Sequence, residues 1–208
     1  MIHVIHLIHP IPSRRSMSSR IAAFLFSLLA LSCLPVAAGA SELSDKLSQP
    51  DHVLIMRHAR APGIGDPAGF TLNDCATQRN LNEEGREQAR KIGNWLRQQG
   101  VVRAMVASSP WCRTKETATL LGFGTPEVQD GLASFFNDAA QGETANQRLE
   151  QYLRKALPGK GSRALILVTH DVNIGRWTGE SVASGEMVLV QVDASGKPIS
   201  HKVYARPD

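Results

Sequence analysis

Two short apolar runs along the chain each end on a histidine. Residues 53–56 are followed by Arg57-His58-Ala59, and residues 165–168 are followed by Thr169-His170-Asp171. Short apolar runs bounded by polar residues predict strands that are buried on both faces, as in a parallel sheet. Because open α/β folds bind their ligands at the carboxyl ends of parallel strands, we expect the two histidines to face one site.

Helical periodicity alternates with these strands. Asn82 is predicted to cap a helix that ends at Gly100, Ser109 to cap a second that ends at Gly122, and Thr144 to begin a third. Further strands are predicted over residues 103–107 and 127–129, and a closing hairpin over residues 187–192 and 199–204. This order predicts one α/β domain with a mainly parallel sheet and antiparallel edge strands.

Residues 1–40 differ in composition from the rest of the chain. They contain three arginines and no acidic residue, an apolar stretch over residues 21–34, and Ala38-Gly39-Ala40, a pattern typical of a signal peptidase site. We expect a signal peptide over residues 1–40, cleaved near Ala40, and a periplasmic or secreted domain over residues 41–208. Two alternatives stay open, an uncleaved membrane anchor and a lipid anchor at Cys33.

The basic balance of the chain lies largely in this leader. The whole chain carries 23 basic and 19 acidic residues, a formal charge of +4. Without the three leader arginines, residues 41–208 carry 20 − 19 = +1. A charge so close to zero gives no support for nucleic-acid binding. The remaining 208 − 40 = 168 residues suffice for one domain with a full core.

Cys75 and Cys112 are the two cysteines beyond the leader. An even number of cysteines in an oxidising compartment favours pairing, so we expect a disulfide, with two separate free thiols as the alternative. Cys75 lies in a long loop predicted over residues 59–81, and Cys112 precedes Arg113. Long loops without secondary structure are often functional, and a bridge here would join two loops near the predicted site.

Several other chemistries lack their sequence patterns. The histidines beyond the leader are His52, His58, His170 and His201, and no H-x-x-x-H or C-x-x-C occurs there, so a zinc site is not expected. The chain has no G-x-S-x-G and no Walker sequence, which disfavours a serine hydrolase and a nucleotide triphosphatase.

Four motifs occur in order between residues 53 and 174. They are Arg57-His58-Ala59; the helix start LNEEGREQA at residues 81–89; SSPWCR at residues 108–113, with Thr117-Ala118 beyond it; and Val168-Thr169-His170. Together they resemble the motifs of the histidine phosphatase superfamily, which has the phosphoglycerate mutase fold. The resemblance implies an α/β three-layer sandwich, in which helices cover both faces of a mainly parallel sheet.

The resemblance also implies roles for four residues. His58 would be the nucleophile and form a phosphohistidine, with its attacking nitrogen unprotonated. Arg57 and Arg113 would bind phosphoryl oxygens through forked hydrogen bonds. His170 would stabilise the charge on those oxygens in the transition state. The implied reaction is metal-independent and uses no cofactor.

The general acid departs from the mutase-like pattern. That branch of the family has a glutamate in an L-x-E segment, whereas residues 132–134 read Leu-Ala-Ser. The acid phosphatase and phytase branch uses the aspartate of H-D-x-N, and residues 170–173 match this motif. We therefore expect Asp171 to be the acid, with Asp138, Glu143 or no acid as alternatives. A structural role for Asp171 would be to cap the following helix.

These inferences predict an exported phosphomonoester phosphatase that acts on a small phosphorylated substrate. A narrower version acts on a sugar phosphate of the lipopolysaccharide core. The alternative is a non-catalytic periplasmic protein that keeps the pocket to bind a phosphorylated ligand. Contact with a membrane is expected only through the leader or a lipid anchor.

Some residues near the motifs have no assigned role. Arg60, Arg79 and Arg176 could reach the substrate or only the rim of the site. The aromatic residues Phe135, Phe136 and Trp177 are expected to pack in the core rather than to wall the pocket.

Overall fold

The computed structural model describes residues 41–208, so the leader predicted over residues 1–40 lies outside the described residues. The helices in this range are α1 (Glu42–Ser48), α2 (Glu83–Gln98), α3 (Cys112–Leu120), α4 (Gly142–Ala156) and α5 (Asp171–Thr178). The strands are β1 (His52–Arg57), β2 (Ala104–Ser108), β3 (Glu127–Val128), β4 (Ala164–Thr169), β5 (Met187–Val192) and β6 (Pro198–Tyr204). Short 3-10 turns occur at Cys75–Thr77, Asp130–Leu132, Ala139–Gln141 and Leu157–Gly159.

The strands form one sheet in the order β3-β2-β4-β1-β5-β6. The pairs β3-β2, β2-β4 and β4-β1 are parallel, whereas β1-β5 and β5-β6 are antiparallel. This confirms a mainly parallel sheet with an antiparallel hairpin at one edge. Arg57 lies opposite Thr169 in the register of β1 and β4. The next residues, His58 and His170, therefore emerge side by side at the carboxyl edge of the sheet.

Helices cover both faces of this sheet, which confirms the three-layer arrangement. Helices α1, α2 and α3 pack on one face, against Met56 and Val168. Helices α4 and α5 pack on the other face, against Ile55 and Leu167. Successive side chains of a strand point to opposite faces, so a continuous apolar run is what a strand covered on both sides requires. Among residues 41–208, no helix is long and apolar enough to cross a bilayer.

The start of α3 differs from the prediction, because Ser109 does not cap this helix. The helix begins at Cys112. The Ser109 hydroxyl lies 2.8 Å from His170 Nε2, and Gln78 Oε1 accepts the backbone N–H of Cys112 at 2.9 Å. A glutamine distant in sequence thus satisfies one free N–H at the helix start, which local spacing does not reveal.

The other helix starts show one success and two differences. Asn82 caps α2 as predicted, since its side chain accepts from Gly85 N–H at 2.9 Å. Asp171 is the first residue of α5 and His170 holds the cap position, so the alternative in which Asp171 caps this helix is wrong. Helix α4 begins at Gly142 rather than Thr144, because the turn Ala139–Gln141 leads directly into it.

Candidate active site

The carboxyl edge of the sheet opens into a cavity of about 470 Å³. Every residue predicted to carry the chemistry lines it: Arg57, His58, Arg113, His170 and Asp171. The rings of His58 and His170 meet edge to face, with 5.5 Å between their centroids. His58, Arg113 and His170 are buried. We call these three residues and Arg57 the floor of the cavity.

The ring of His58 is held in one tautomer. Its Nδ1 lies 2.7 Å from the carbonyl oxygen of Ala59, which can only accept, so Nδ1 carries the proton and donates. Nε2 is then unprotonated and has a free lone pair. Burial lowers the pKa of His58 to about 3; the hydrogen bond to Ala59 opposes this shift and the surrounding arginines add to it. The ring is therefore neutral at physiological pH, with Nε2 unprotonated, as an attacking nitrogen must be.

His170 takes the opposite tautomer. Arg113 Nη2 can only donate and lies 3.4 Å from His170 Nδ1, so Nδ1 accepts and Nε2–H donates to Ser109 Oγ at 2.8 Å. Burial lowers the pKa of His170 well below its ordinary value, and His58 and the arginines act in the same direction. Both ring nitrogens thus have protein partners. Donation from His170 to a bound oxyanion requires that the ligand displace one partner or bring a proton.

Arg57 and Arg113 reach the floor from the end of β1 and from the first turn of α3. Arg57 Nη1 donates to Val182 O at 2.9 Å, and Arg113 Nη1 donates to Asp66 at 2.8 Å. Within residues 41–208, the buried Nε–H of each arginine has no acceptor. A buried donor without a partner costs about 1–3 kcal/mol, so this pair favours a ligand that brings anionic oxygens.

Sequence reasoning misses Asp66, whose side chain is only 5% exposed. Its Oδ1 accepts from Arg113 Nη1 at 2.8 Å and from Arg79 N–H at 3.0 Å, and its Oδ2 accepts from the Trp111 indole at 3.0 Å. Burial raises the pKa of Asp66, but these hydrogen bonds and the charge of Arg113 outweigh it and hold the pKa below its ordinary value. Asp66 is therefore a carboxylate that orients Arg113. Its position in a long loop is the one sequence signal it has.

Arg79 is a third guanidinium in the cavity. Its Nε donates to Gly65 O at 2.7 Å and its Nη1 to the carbonyl of Ala61. Burial lowers the pKa of Arg79, but the side chain stays charged because an arginine normally titrates above about pH 12. Arg60 and Arg176, in contrast, do not line the cavity and pair with Glu84 and Glu143 at the surface.

A disulfide and a glutamine fasten the loop over residues 59–81 to α3. Cys75 and Cys112 form the predicted disulfide, with their Cα atoms 5.7 Å apart. The buried Gln78 accepts from Cys112 N–H and donates to Thr71 O, both at 2.9 Å. Both links end next to Arg113, so they hold the loop against the residue that Asp66 contacts.

Phe135 and Phe136 line the mouth of the cavity, so the prediction that they pack in the core is wrong. Trp177 is buried in the core, as expected. The difference has a local cause. Thr169 Oγ1 donates to Leu132 O at 2.7 Å, which holds the start of this segment at the sheet edge while the following residues extend towards solvent.

Asp171 contacts a floor residue. Asp138 and Glu143, the other two residues considered as the general acid, do not. Asp171 Oδ2 lies 3.4 Å from Arg57 Nη2, and its side chain is 44% exposed. Ser134 lines the cavity at the position where the family pattern has a glutamate. Asp138 lines the mouth, but its Oδ1 accepts from Ala140 N–H at 3.2 Å. Glu143 pairs with Arg176 outside the cavity.

The described residues also bear on metal binding. No group of three or more His, Cys, Asp or Glu side chains in residues 41–208 is arranged to hold a metal ion. The arrangement that is present combines a neutral imidazole, three guanidinium groups and a carboxyl group. Such a set can bind a phosphoryl group and attack it.

Comparison with known proteins identifies the family. The family model of the histidine phosphatase superfamily (branch 1) matches residues 53–164, more than half of the chain. The chain belongs to the histidine phosphatase superfamily. The matched range includes His58 and Arg113, whereas His170 and Asp171 follow it. A search of curated protein sequences finds no match.

Solved structures of histidine phosphatases share the fold. The protein histidine phosphatase SixA complexed with tungstate has a TM-score of 0.50 at 23% identity, covering 74% of this chain and 94% of its own. Mycobacterial glucosyl-3-phosphoglycerate phosphatase complexed with VO3 has a TM-score of 0.52 at 14% identity, covering 68% and 92%. Bacillus stearothermophilus YhfR has a TM-score of 0.52 at 16% identity, covering 71% and 93%. These likenesses establish the phosphoglycerate mutase-like sandwich.

The histidine phosphatase motifs outside the cavity support the backbone around His58. A Cβ on Gly85 would lie 2.0 Å from Arg60 O, so only glycine fits at this place in α2. Gln88 Oε1 accepts from Arg60 N–H at 2.9 Å, and Thr117 Oγ1 accepts from Ala59 N–H at 3.0 Å. The motif residues of α2 and α3 thus hold the two residues that follow His58.

Proposed function

We propose that this histidine phosphatase hydrolyses phosphomonoesters through a phosphohistidine on His58. His58 Nε2 attacks phosphorus, the bond from phosphorus to the ester oxygen breaks, and the departing oxygen takes a proton from the general acid. Water then attacks the phosphohistidine and gives its proton to the same group, the bond from phosphorus to nitrogen breaks, and inorganic phosphate leaves. The observation that carries this proposal is the hydrogen bond from His58 Nδ1 to Ala59 O, which leaves Nε2 unprotonated on a floor lined by guanidinium groups.

We propose Asp171 as the general acid of the first step and the base of the second. The Asp171 carboxyl lies 3.4 Å from the Arg57 guanidinium, which would hold the phosphoryl oxygens. Its partial exposure gives it access to water, which the second step consumes. Because Asp171 begins α5, its backbone belongs to a helix that packs on the sheet rather than to the loops at the mouth.

The leader pattern supports action outside the cytoplasm after removal of residues 1–40. Fractionation of cells that make the full chain tests this location, and recovery of the protein in the cytoplasm would contradict it. The substrate we propose is a small phosphomonoester. The narrower version, a sugar phosphate of the lipopolysaccharide core, rests on the resemblance alone.

The test of the reaction uses the leaderless protein after chelator treatment and p-nitrophenyl phosphate as substrate. This ester has a good leaving group, so a working nucleophile turns it over even with a poor acid. We expect turnover that His58→Ala abolishes and that His201→Ala, a matched change outside the cavity, retains. A protein that binds inorganic phosphate but hydrolyses no ester would establish the non-catalytic binding protein instead.

The test of the acid compares esters with different leaving groups. We expect Asp171→Asn to lower kcat on an alkyl phosphate by about 10²–10⁴-fold and on the aryl phosphate by much less, since an aryl oxide departs without a proton. Asp45→Asn on α1 is the matched control. A loss confined to the aryl ester would rule out Asp171.

A further inference from the structure

Two apolar side chains at the mouth of the cavity are exposed to solvent. Ile64 is 90% exposed and Phe136 is 52% exposed. Both line the same cavity as the floor residues, together with Phe70 and Phe135. Isolated exposed apolar residues are common, but these two share one cavity with the floor residues, where a ligand bound on the floor could reach them. We call Ile64 and Phe136 the apolar rim.

The backbone on which the apolar rim stands is anchored on both sides. Arg79 Nε donates to Gly65 O at 2.7 Å, next to Ile64. Asn173 Nδ2 donates to Ala133 O at 2.9 Å at the start of the segment that carries Phe136. A Cβ on Gly65 would lie 3.9 Å from the Phe136 ring, so the two segments approach each other. The rim is therefore presented in place before a substrate arrives, which reduces the entropy lost on binding.

The direction of attack places the leaving group against this rim. In phosphoryl transfer the attacking atom and the leaving oxygen lie roughly in line on opposite sides of phosphorus. His58 lines the cavity and is only 2% exposed, whereas Ile64 and Phe136 are exposed. A phosphoryl group that His58 attacks would therefore point its ester oxygen away from the buried ring and towards the solvent side of the cavity, where Ile64 and Phe136 lie.

Two polar side chains at the mouth are already engaged with the local backbone, whereas Asn137 and Gln141, which also line the cavity, make no side-chain hydrogen bond among residues 41–208. Ser134 Oγ accepts from Phe136 N–H at 3.3 Å, and Asp138 Oδ1 accepts from Ala140 N–H at 3.2 Å. A leaving group rich in hydroxyls would compete with these bonds. An apolar leaving group instead removes exposed carbon surface of the rim from water, which is favourable.

We propose that Ile64 and Phe136 determine specificity and that the site takes phosphomonoesters of apolar alkyl or aryl alcohols. This inference rests on the proposed phosphatase function and narrows its substrate class. The phosphoryl group binds on the floor, and the apolar group lies along the rim.

The test measures kcat/KM for n-propyl, n-butyl, n-pentyl and n-hexyl phosphate. These esters have leaving groups of nearly equal acidity, so the chemical step is constant and only the apolar length changes. We expect kcat/KM to rise about two- to fourfold for each methylene in contact with the rim. Ile64→Ser and Phe136→Ser should each flatten the series, and Val102→Ser, which removes an exposed apolar side chain outside this cavity, should leave it unchanged.

Inhibition by inorganic phosphate separates the rim from the floor. The two rim variants should keep the phosphate inhibition constant of the natural chain, because neither residue belongs to the floor. A flat series in the natural chain, a slope that survives both rim variants, or faster hydrolysis of glucose 6-phosphate than of hexyl phosphate would each overturn the inference. If no ester is hydrolysed, the proposed function fails. The affinities of the same four esters, measured by calorimetry, then test the rim through their dependence on alkyl chain length.

Discussion

Removal of the disulfide between Cys75 and Cys112 should destabilise the protein by an amount that follows from the chain between them. The bridge closes a loop with a sequence separation of 37. Opening a loop of this size returns about 13 cal/mol/K of entropy to the unfolded chain, or about 4 kcal/mol at 25 °C. Domains are stable by only about 5–15 kcal/mol, so the bridge supplies a large share while the packed sheet keeps the protein folded.

Equilibrium unfolding in urea measures this effect on the leaderless protein. The variant Cys75→Ser/Cys112→Ser should unfold with a free energy lower by about 4 kcal/mol. It should also show a steeper dependence on urea, because the unfolded chain without the bridge exposes more surface. The natural chain in a reducing buffer is the matched control and should behave like the variant. A loss below about 1 kcal/mol would refute the reasoning, because the bridge would then not restrict the unfolded chain by the expected amount.

Three further predictions concern the floor residues Arg113 and His58 and the carboxylate of Asp66, which pairs with Arg113. Arg113→Lys should lower kcat/KM by about 10²–10³-fold, because a lysine cannot make the forked contact. The control Arg176→Lys at the surface should leave kcat/KM unchanged. Equal values of kcat/KM for the two variants would contradict the role of Arg113. Asp66→Asn should lower the free energy of unfolding by about 3–5 kcal/mol near neutral pH, because Arg113 is left buried without its anion. Because the folded pKa of Asp66 lies below its ordinary value, the ion pair stabilises the fold above about pH 4, and this stabilisation is lost as pH falls through the folded pKa. A loss of stability in Asp66→Asn that does not change with pH would argue against the ion pair. The NMR signal of His58, assigned with His58→Ala, should show no titration between about pH 5 and 8, since its pKa is about 3; a midpoint near 6.5 would contradict its burial as a neutral base.

The fold and the floor were predictable because they depend on local patterns. The apolar runs before His58 and His170 mark strands covered on both faces, and parallel pairing brings their ends together. The strongest signals were thus short, contiguous and repeated at equivalent places in the sheet. Arg113 followed in the same way, because its motif begins a helix after β2.

The residues that the sequence did not reveal act through contacts distant along the chain. Asp66 meets Arg113 across 47 positions, and Gln78 meets Cys112 across 34. Ser109 was taken for a helix cap because serine before proline fits that pattern, yet its hydroxyl bonds His170, 61 positions away. Phe136 is apolar, which predicts burial, yet it is exposed. Its place at the mouth depends on the contact from Thr169 that holds the preceding segment. Local propensity carries no information on such partners.

The phosphohistidine itself is the most direct object of measurement. The leaderless protein is mixed with excess p-nitrophenyl phosphate, quenched in alkali within one turnover, digested, and analysed by mass spectrometry for phosphate on the peptide that contains His58. We predict a phosphate on the His58 ring that is stable to alkali, labile to acid, and absent from His58→Ala. Turnover of the ester with no phosphate on His58, or equal turnover by His58→Ala, would contradict this account.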